Sequence, residues 1–234
     1  MTDDIDFRPE FKKKDIRSYV IRAGRITAGQ RKAFETWGPK YRLRLVDGAL
    51  DIPQTFEREA PVVLELGFGM GDSLLQMAKD EADKSFIGIE VHPPGVGRII
   101  NSAGMDGVEN LRVYMADAVD VLEDCIANES LDRFQLYFPD PWHKKKHHKR
   151  RIVQPEFVQR IRQKLKPGGV FHMATDWENY ADHMMEVMSL AEGYENVAGE
   201  YLFSDKPDYR PETKFERRGE RLGHGVWDLL FKKI

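Results

Sequence analysis

From residue 61 onward, segments with the hydrophobic pattern of buried strands alternate with segments that have the pattern of helices. Short apolar runs typical of buried parallel strands occupy residues 62–66, 85–90, 111–115, 134–138, 170–174 and 226–231. Apolar residues recurring every three or four positions, as in helices, occupy residues 72–82, 119–126, 154–165 and 179–191. Pro-Gly-Gly at residues 167–169 is expected to stop the third of these helices. The alternation predicts an α/β fold with a mostly parallel sheet and helices on both faces.

The first 59 residues lack such a strong pattern. Thr27 predicts the cap of a helix that continues through Tyr41, with Phe34 and Trp37 on one face. Aromatic residues among many charges favour an arm that makes contacts over a solubilising tail. We therefore predict a basic, partly mobile N-terminal arm over residues 1–59 and a folded domain over residues 60–234.

Composition narrows the class of protein. The chain has 234 residues and a single cysteine, Cys125, which cannot form an internal disulfide. This favours a reducing compartment, and we expect the cytoplasm. The acidic N-terminus lacks the apolar stretch of a signal peptide, and no window approaches the length of a membrane span.

The charges are segregated along the chain. The net charge of −3 taken alone argues against a nucleic-acid partner. Yet residues 8–44 hold twelve Lys or Arg against three acids, and residues 139–166 hold ten against two. The rest has 14 Lys or Arg against 34 acids. Two basic segments on an acidic protein are compatible with nucleic-acid binding.

A glycine-rich segment follows the first predicted strand. Residues 64–72 read LELGFGMGD and lead into a predicted helix, an arrangement that lets the backbone approach a ligand closely. The dinucleotide pattern GxGxxG fails because Asp72 occupies its third glycine position. An acid followed by Gly67, Gly69 and Gly71 instead resembles motif I of class I S-adenosylmethionine methyltransferases.

Two carboxylates extend this pattern. Glu90 ends the second strand, where a carboxylate can accept hydrogen bonds from both ribose hydroxyls. Asp117 follows the third strand, where methyltransferases of this class often contact the adenine amino group. Each feature alone suits an ordinary turn or a solvated strand end, but together they indicate a cofactor site.

The fourth strand leads into the segment FPDPWHKKKHHKRR. Asp140 lies between two prolines, which restrict its backbone. Residues 143–151 contain six Lys or Arg and three His, in a spacing that fits no compact zinc pattern, so no metal site is predicted. A charge run is usually a solvated loop, but beside Trp142 and a predicted reaction centre it suggests contacts with a phosphate backbone.

With these motifs, the chain resembles the TrmB-type tRNA (guanine-N7-)-methyltransferases, which modify guanine 46 in the tRNA variable loop. The resemblance includes LKPGG, ATDWENYA and the late segment TKFE. It implies a Rossmann-like class I methyltransferase fold, with a mostly parallel seven-stranded sheet, an antiparallel last strand and S-adenosyl-L-methionine as cofactor.

The resemblance also implies roles for individual residues. It implies cofactor binding by Glu65, Gly67, Gly69, Gly71, Glu90, Asp117 and Asp140. Substrate contacts are implied for Lys144, Asp176, Thr213, Lys214, Phe215 and Glu216. RNA contacts are implied for Lys146, His147, His148, Lys149, Arg150 and Arg151.

Guanine N7 carries a free lone pair, so the reaction needs alignment and electrostatics more than a general base. Asp140 is the expected catalytic residue, with Asp176 as a second carboxylate that could instead cap a helix.

A methyltransferase acting on another nucleic-acid base and a non-enzymatic RNA-binding module remain alternatives, and an NAD-dependent oxidoreductase is more distant. We expect a monomer that binds tRNA, with no membrane and no obligate protein partner.

Overall fold

The computed structural model describes residues 7–10, 18–19, 26–212, 216 and 225–234. The chain forms two compact units. Unit 1 contains the described residues up to Ala127 except residues 18–19, which belong with residues 128–234 to unit 2. The predicted boundary at residue 59 between arm and domain stays a prediction.

Within the residues that the structure describes, unit 1 has four parallel strands. They are β1 (Arg42–Leu43), β2 (Val62–Leu66), β3 (Ser85–Ile89) and β4 (Leu111–Tyr114). Their order across the sheet is β1-β4-β3-β2, and each neighbouring pair is parallel. All five residues of β3 are buried, which explains why its sequence is a continuous apolar run without alternation.

In the described part of this unit, five α-helices accompany the sheet. They are α1 (Ala28–Tyr41), α2 (Ile52–Phe56), α3 (Asp72–Asp80), α4 (Pro93–Asp106) and α5 (Ala118–Asp124). Thr27 caps α1 through a reciprocal capping box with Gln30, so the predicted start and end of this helix are confirmed.

The described part of the predicted arm, apart from residues 18–19, belongs to unit 1. Phe34 and Tyr41 of α1 are buried, and the Tyr41 hydroxyl donates to the Ala103 carbonyl of α4 at 3.1 Å. The Gln30 side chain donates to the Pro94 carbonyl at 3.0 Å. Residues 28–56 are therefore structural in this unit, while the action of the first 59 residues as a separate arm stays a prediction.

Unit 2 contains a mixed sheet in the order β5-β6-β8-β7. Its strands are β5 (Leu131–Tyr137), β6 (Leu165–Thr175), β7 (Tyr194–Asn196) and β8 (Trp227–Lys233), and its helices are α6 (Pro155–Lys164) and α7 (Glu178–Ser189). β5 and β6 are parallel, whereas β8 runs antiparallel to both β6 and β7. The predicted fold class, with its antiparallel last strand, is confirmed; the described residues contain eight strands where seven were predicted.

One local expectation was wrong. The segment at residues 167–169 is not a break between helix and strand but part of β6, because α6 ends at Lys164 and β6 begins at Leu165. The register between β5 and β6 shifts between Leu131 and Arg133, and Gly168 has a φ of 79°. A bulge of this kind lets glycine and proline lie within a strand.

Candidate functional site

The glycine segment of unit 1 forms a tight loop between β2 and α3. Gly67, Gly69 and Gly71 have φ values of 77°, 59° and 82°. The Gly67 N–H donates to the Ile89 carbonyl at 2.8 Å, which joins the loop to the end of β3. A Cβ at Gly71 would lie 2.7 Å from the Cβ of Ile99, so no larger residue fits there.

The N-terminus of α4 packs directly on this loop. A Cβ at Gly95 would lie 1.9 Å from the carbonyl oxygen of Gly69. Helix α4 starts with two prolines at its first positions, where a missing N–H removes no helical hydrogen bond. The close approach of Gly95 therefore fixes the glycine loop from one side. The sequence analysis did not predict this contact, because it predicted no helix over residues 93–106.

The Glu90 carboxylate holds the other side of the loop. One oxygen accepts from the Gly69 N–H at 2.8 Å. The other accepts from the N–H groups of Val91 and His92 at 2.7 and 3.0 Å. Burial raises the pKa of Glu90, although the three hydrogen bonds oppose the shift. The Glu90 carboxylate, which follows β3, thus holds the glycine loop through the Gly69 N–H.

Two further carboxylates occupy the ends of the neighbouring strands. Glu65 lies in β2 and is 3% exposed. Asp117 follows β4 and caps α5 by accepting from the Val119 N–H at 2.8 Å. Because β2, β3 and β4 are parallel, Glu65, Glu90 and Asp117 lie towards the same edge of this sheet.

This set of groups fits S-adenosylmethionine. The ligand presents a sulfonium cation, two ribose hydroxyls and an adenine amino group, all of which are attracted to carboxylates. Because glycine has no side chain, the backbone of the glycine loop can come close to such a ligand. Unit 1 supplies both features at one sheet edge.

In unit 2, the segment after β5 is bent by two unusual residues. Phe138 and Trp142 have φ values of 50° and 48° although neither is glycine. Between them, Asp140 is exposed and accepts a hydrogen bond from the Trp142 N–H at 3.0 Å. Non-glycine residues in this conformation are held by their surroundings and cluster at functional sites.

Trp142 connects this turn to other parts of unit 2. Its indole N–H donates to the Ser18 carbonyl at 3.3 Å, and the Arg150 guanidinium lies 4.7 Å from its ring centroid. The His147 ring packs edge-on at 5.9 Å. A residue of the predicted arm, Ser18, therefore lies beside the turn that carries Asp140.

The basic segment continues as a 3-10 helix over Lys145–Arg150. Lys144, Lys145, Lys146 and Lys149 are exposed. Desolvation and the nearby cations, Lys146 and Arg150 first among them, lower the pKa of His147. Exposed lysines without a neighbouring acid in the segment suit contacts with phosphates.

Arg151, the last residue of this segment, differs from the others. It is 2% exposed. Its Nε donates to the Pro141 carbonyl at 3.0 Å, and one Nη donates to the Asn179 side chain at 2.7 Å. The guanidinium also lies 4.7 Å from the Tyr180 ring centroid. Arg151 therefore braces the Asp140 turn against α7, and the RNA contact predicted for it stays a prediction that its burial does not favour.

Asp176 follows β6 as Asp140 follows β5, and these two strands are parallel neighbours. Both carboxylates thus lie at one sheet edge of unit 2. The N-cap of α7 is Trp177, and no side-chain hydrogen bond caps this helix. The alternative role of Asp176 as a helix cap is accordingly not realised.

The late TKFE segment is described only at Glu216; Thr213, Lys214 and Phe215 lie outside the described residues. The Glu216 carboxylate is 3% exposed and lies 2.7 Å from Nη2 of Arg210. Arg210 in turn binds Asp228 of β8, whose Oδ1 lies 2.7 Å from Nε2 of His172. The hydroxyl groups of Tyr137 and Tyr209 lie 2.9 and 3.0 Å from Nδ1 of His172.

Sequence reasoning missed this buried polar cluster of His172, Arg210, Glu216 and Asp228. The signal in the sequence was a charged or polar residue inside each of two apolar strand runs, namely Asp228 and His172. Desolvation, opposed by Asp228, lowers the pKa of His172. Burial raises the pKa of Asp228, but hydrogen bonds with His172 and Arg210 outweigh it and leave the pKa below its usual value.

Among the described residues, no group of three or more His, Cys, Asp or Glu side chains is arranged to hold a metal ion. Nor does this part of the chain contain a helix long and apolar enough to cross a membrane.

Comparison with known proteins gives concordant matches. Residues 59–229 match the model of a family described as "Putative methyltransferase". The tRNA (guanine-N(7)-)-methyltransferase of Saccharophagus degradans is 68% identical over 97% of this chain and 99% of its own length. The enzyme of the same name from Alcanivorax borkumensis is 61% identical over 94% of this chain and 92% of its own. Among solved structures, the 16S rRNA methyltransferase KamB has a TM-score of 0.54 at 17% identity and covers 93% of this chain and 98% of its own, which supports the fold.

Proposed function

Because the chain belongs to the tRNA (guanine-N7-)-methyltransferase family, we propose that it methylates N7 of guanine 46 in the variable loop of tRNA. The coarser activity, S-adenosylmethionine-dependent methylation of tRNA guanine N7, follows from family membership. The observation that carries the proposal is the turn at Asp140, which leads directly into an exposed basic segment. Such a segment suits a polyanionic substrate at the point where a carboxylate is presented.

The proposed cofactor site in unit 1 uses the glycine loop and three carboxylates. The cofactor contact expected for Asp140 stays a prediction. Bound S-adenosylmethionine supplies a methyl group already activated by the sulfonium. Glu90 is the expected acceptor for the ribose hydroxyls, Asp117 for the adenine amino group, and Glu65 a further carboxylate. A Cβ at Gly67 or Gly69 would meet nothing within 4 Å, so these two positions leave room for the ligand beside the backbone, whereas Gly71 packs against Ile99.

The proposed role of Asp140 is electrostatic. Methylation leaves the purine cationic, so a carboxylate near the base stabilises the charge that develops. No proton has to leave guanine N7 before it is attacked, so no general base is required. Asp176 would act with Asp140, and Lys144, next to the basic segment, would contact the substrate.

The late TKFE segment is proposed to contact the substrate through Thr213, Lys214 and Phe215. The Glu216 carboxylate is engaged by Arg210, so its proposed contribution is to hold the end of this segment in place. A buried ion pair of this kind constrains both partners when its geometry is good.

RNA affinity is proposed to come from Lys146, His147, His148, Lys149 and Arg150, together with the basic residues near the N-terminus. The remaining chain is acidic, so it would repel RNA that does not reach these segments. We further expect a monomer in the cytoplasm.

The test is methyl transfer to an unmodified tRNA transcript, followed by mapping of the methylated atom. The expected product is 7-methylguanine at position 46. A matched transcript with 7-deazaguanine at this position lacks the N7 lone pair and should accept no methyl group. Methylation of another guanine N7 would refute position 46 alone, whereas methylation of an exocyclic amine would refute the proposed chemistry.

A further inference from the structure

Two aromatic side chains meet after neighbouring strands of unit 2. His143 follows β5 and Trp177 follows β6. Their ring centroids are 4.3 Å apart and their planes are inclined at 72°, an edge-to-face arrangement. The two segments that carry Asp140 and Asp176 are thus joined by an aromatic contact.

The backbone beneath the Trp177 indole is fixed. The backbone N–H of Trp177 donates to the Thr175 hydroxyl at 3.2 Å. Its carbonyl accepts from the N–H groups of Tyr180 and Ala181 at 2.8 and 3.0 Å, which begins α7. Trp177 is therefore a well-anchored residue and not part of a loose loop.

The indole nevertheless stays open to solvent. Trp177 is 38% exposed, whereas Tyr180, three residues later, is fully buried. Folding usually buries most of a tryptophan. His143 is exposed as well, so the edge-to-face contact orients the indole and leaves part of it open to solvent.

The charges nearby select the kind of ligand. Lys144, Lys145 and Lys146 are exposed and directly follow His143, and Asp176 directly precedes Trp177. An aromatic face beside several cations is the combination that binds unpaired nucleotides, because the ring stacks on the base while the cations contact the phosphates.

We propose that Trp177, oriented by His143, is a stacking surface for an unpaired base of the tRNA variable loop. The inference rests on the proposed function, since that function brings the variable loop to Asp140 and Asp176. The stacked group is the face of a nucleobase, either guanine 46 itself or the base on one side of it. His143 is a positioning residue in this arrangement.

The test compares Trp177→Leu with Trp177→Phe, which keeps an aromatic face. Loss of base stacking should weaken tRNA binding by Trp177→Leu about fivefold to a hundredfold, while Trp177→Phe should stay within about threefold of the wild type. Affinity for S-adenosylmethionine, measured by calorimetry, should be unchanged in both. Tyr201→Leu, at another exposed aromatic of unit 2, is the control and should bind tRNA normally.

Transcripts with an abasic nucleotide at position 45, 46 or 47 identify the stacked base. On the transcript that lacks this base, Trp177→Leu and wild type should bind equally. Normal binding of all transcripts by Trp177→Leu would overturn the proposal. If Trp177→Leu does not fold, tRNA-induced quenching of tryptophan fluorescence decides: it should be larger in wild type than in Trp177→Phe, and equal quenching overturns stacking. If wild type failed to methylate guanine 46, the proposed function would be refuted. The binding comparison between wild type and Trp177→Leu would still test the stacking proposal, because it does not depend on methyl transfer.

Discussion

Arg210 holds Asp228 through two parallel hydrogen bonds, from Nε to Oδ1 at 2.7 Å and from Nη2 to Oδ2 at 2.8 Å. Both side chains are almost fully buried, and Glu216 and His172 extend the cluster on either side. The forked geometry of a guanidinium matches a carboxylate in this way, which a lysine cannot reproduce. This cluster connects the end of the TKFE segment to β6 and β8.

Removing one partner of the buried pair should strongly destabilise the chain. Arg210→Met leaves Asp228 and Glu216 charged in the interior, and we expect a loss of about 3–5 kcal/mol in the free energy of unfolding, measured with urea. The control is Lys232→Met, which removes an exposed ion pair with Glu195 and should cost less than about 1 kcal/mol. Equal losses in the two variants would contradict a stabilising role for the cluster.

Stability should fall in mild acid because of His172. Its pKa is lowered in the folded chain, so the unfolded chain takes up a proton first as the pH falls below about 6.5. The contribution of neutral His172 to the free energy of unfolding is complete above this pH. It is lost as the pH falls towards the pKa that His172 has in the folded chain. Asp228, whose pKa is also lowered, should add a second loss below about pH 4.

Thermal melting between pH 8 and pH 5 measures the first of these effects. The melting temperature of wild type should fall over this range, and that of His172→Gln, which has no titrating ring, should change less. Parallel curves for the two proteins would show that His172 does not titrate in the transition.

The contact between α4 and the glycine loop should control cofactor binding. In Gly95→Ala the new methyl group would overlap the Gly69 carbonyl, so the loop must shift, and we expect at least a tenfold loss of S-adenosylmethionine affinity by calorimetry. Gly29→Ala is the matched control, because a Cβ there meets nothing within 4 Å. It should bind normally and gain up to about 1 kcal/mol from helix propensity.

The exposed lysines should account for much of the salt dependence of tRNA binding. The triple variant Lys145→Ala, Lys146→Ala and Lys149→Ala should bind tRNA more weakly. For each phosphate that the variant no longer neutralises, the slope of log affinity against log salt should decrease by about 0.7–0.9. Cofactor affinity should not change, and an unchanged salt slope would mean that these lysines are only solvated. Lys79→Ala, at a surface ion pair of unit 1, serves as a comparison.

Asp140→Ala should reduce methyl transfer far more than it reduces cofactor affinity. Single-turnover rates, compared with binding by calorimetry, separate these effects. Asp140→Asn keeps an oxygen that can accept from the Trp142 N–H and so tests the charge separately from the turn. A near-normal single-turnover rate in Asp140→Ala would remove this residue from the chemistry.

The sequence predicted the parallel strands β2 to β6, although not the two-residue β1, and the carboxylates that follow several of them, because each signal is local. A buried parallel strand must be apolar along its length, as in β3, and a residue after such a strand must lie at the sheet edge. The same reasoning located Glu90, Asp117, Asp140 and Asp176 at strand ends.

Helix α4 could not be predicted in this way. Its first residues are Pro93, Pro94 and Gly95, which occur in turns as well as at helix starts, and only the structure shows that Gly95 lies against the glycine loop. Arg151 likewise looks like one more cation of the basic segment. Its burial depends on Pro141 and Asn179, which the chain brings together only when folded.

The two left-handed residues at Phe138 and Trp142 make the orientation of Asp140 a property of the whole unit. Each such residue costs roughly 1–3 kcal/mol, which a short peptide has no tertiary contacts to offset. A synthetic peptide with residues 136–144 would relax to extended conformers. Transplanting this motif into another protein would likewise reproduce its charges without its geometry unless Arg151 and its partners were transferred as well.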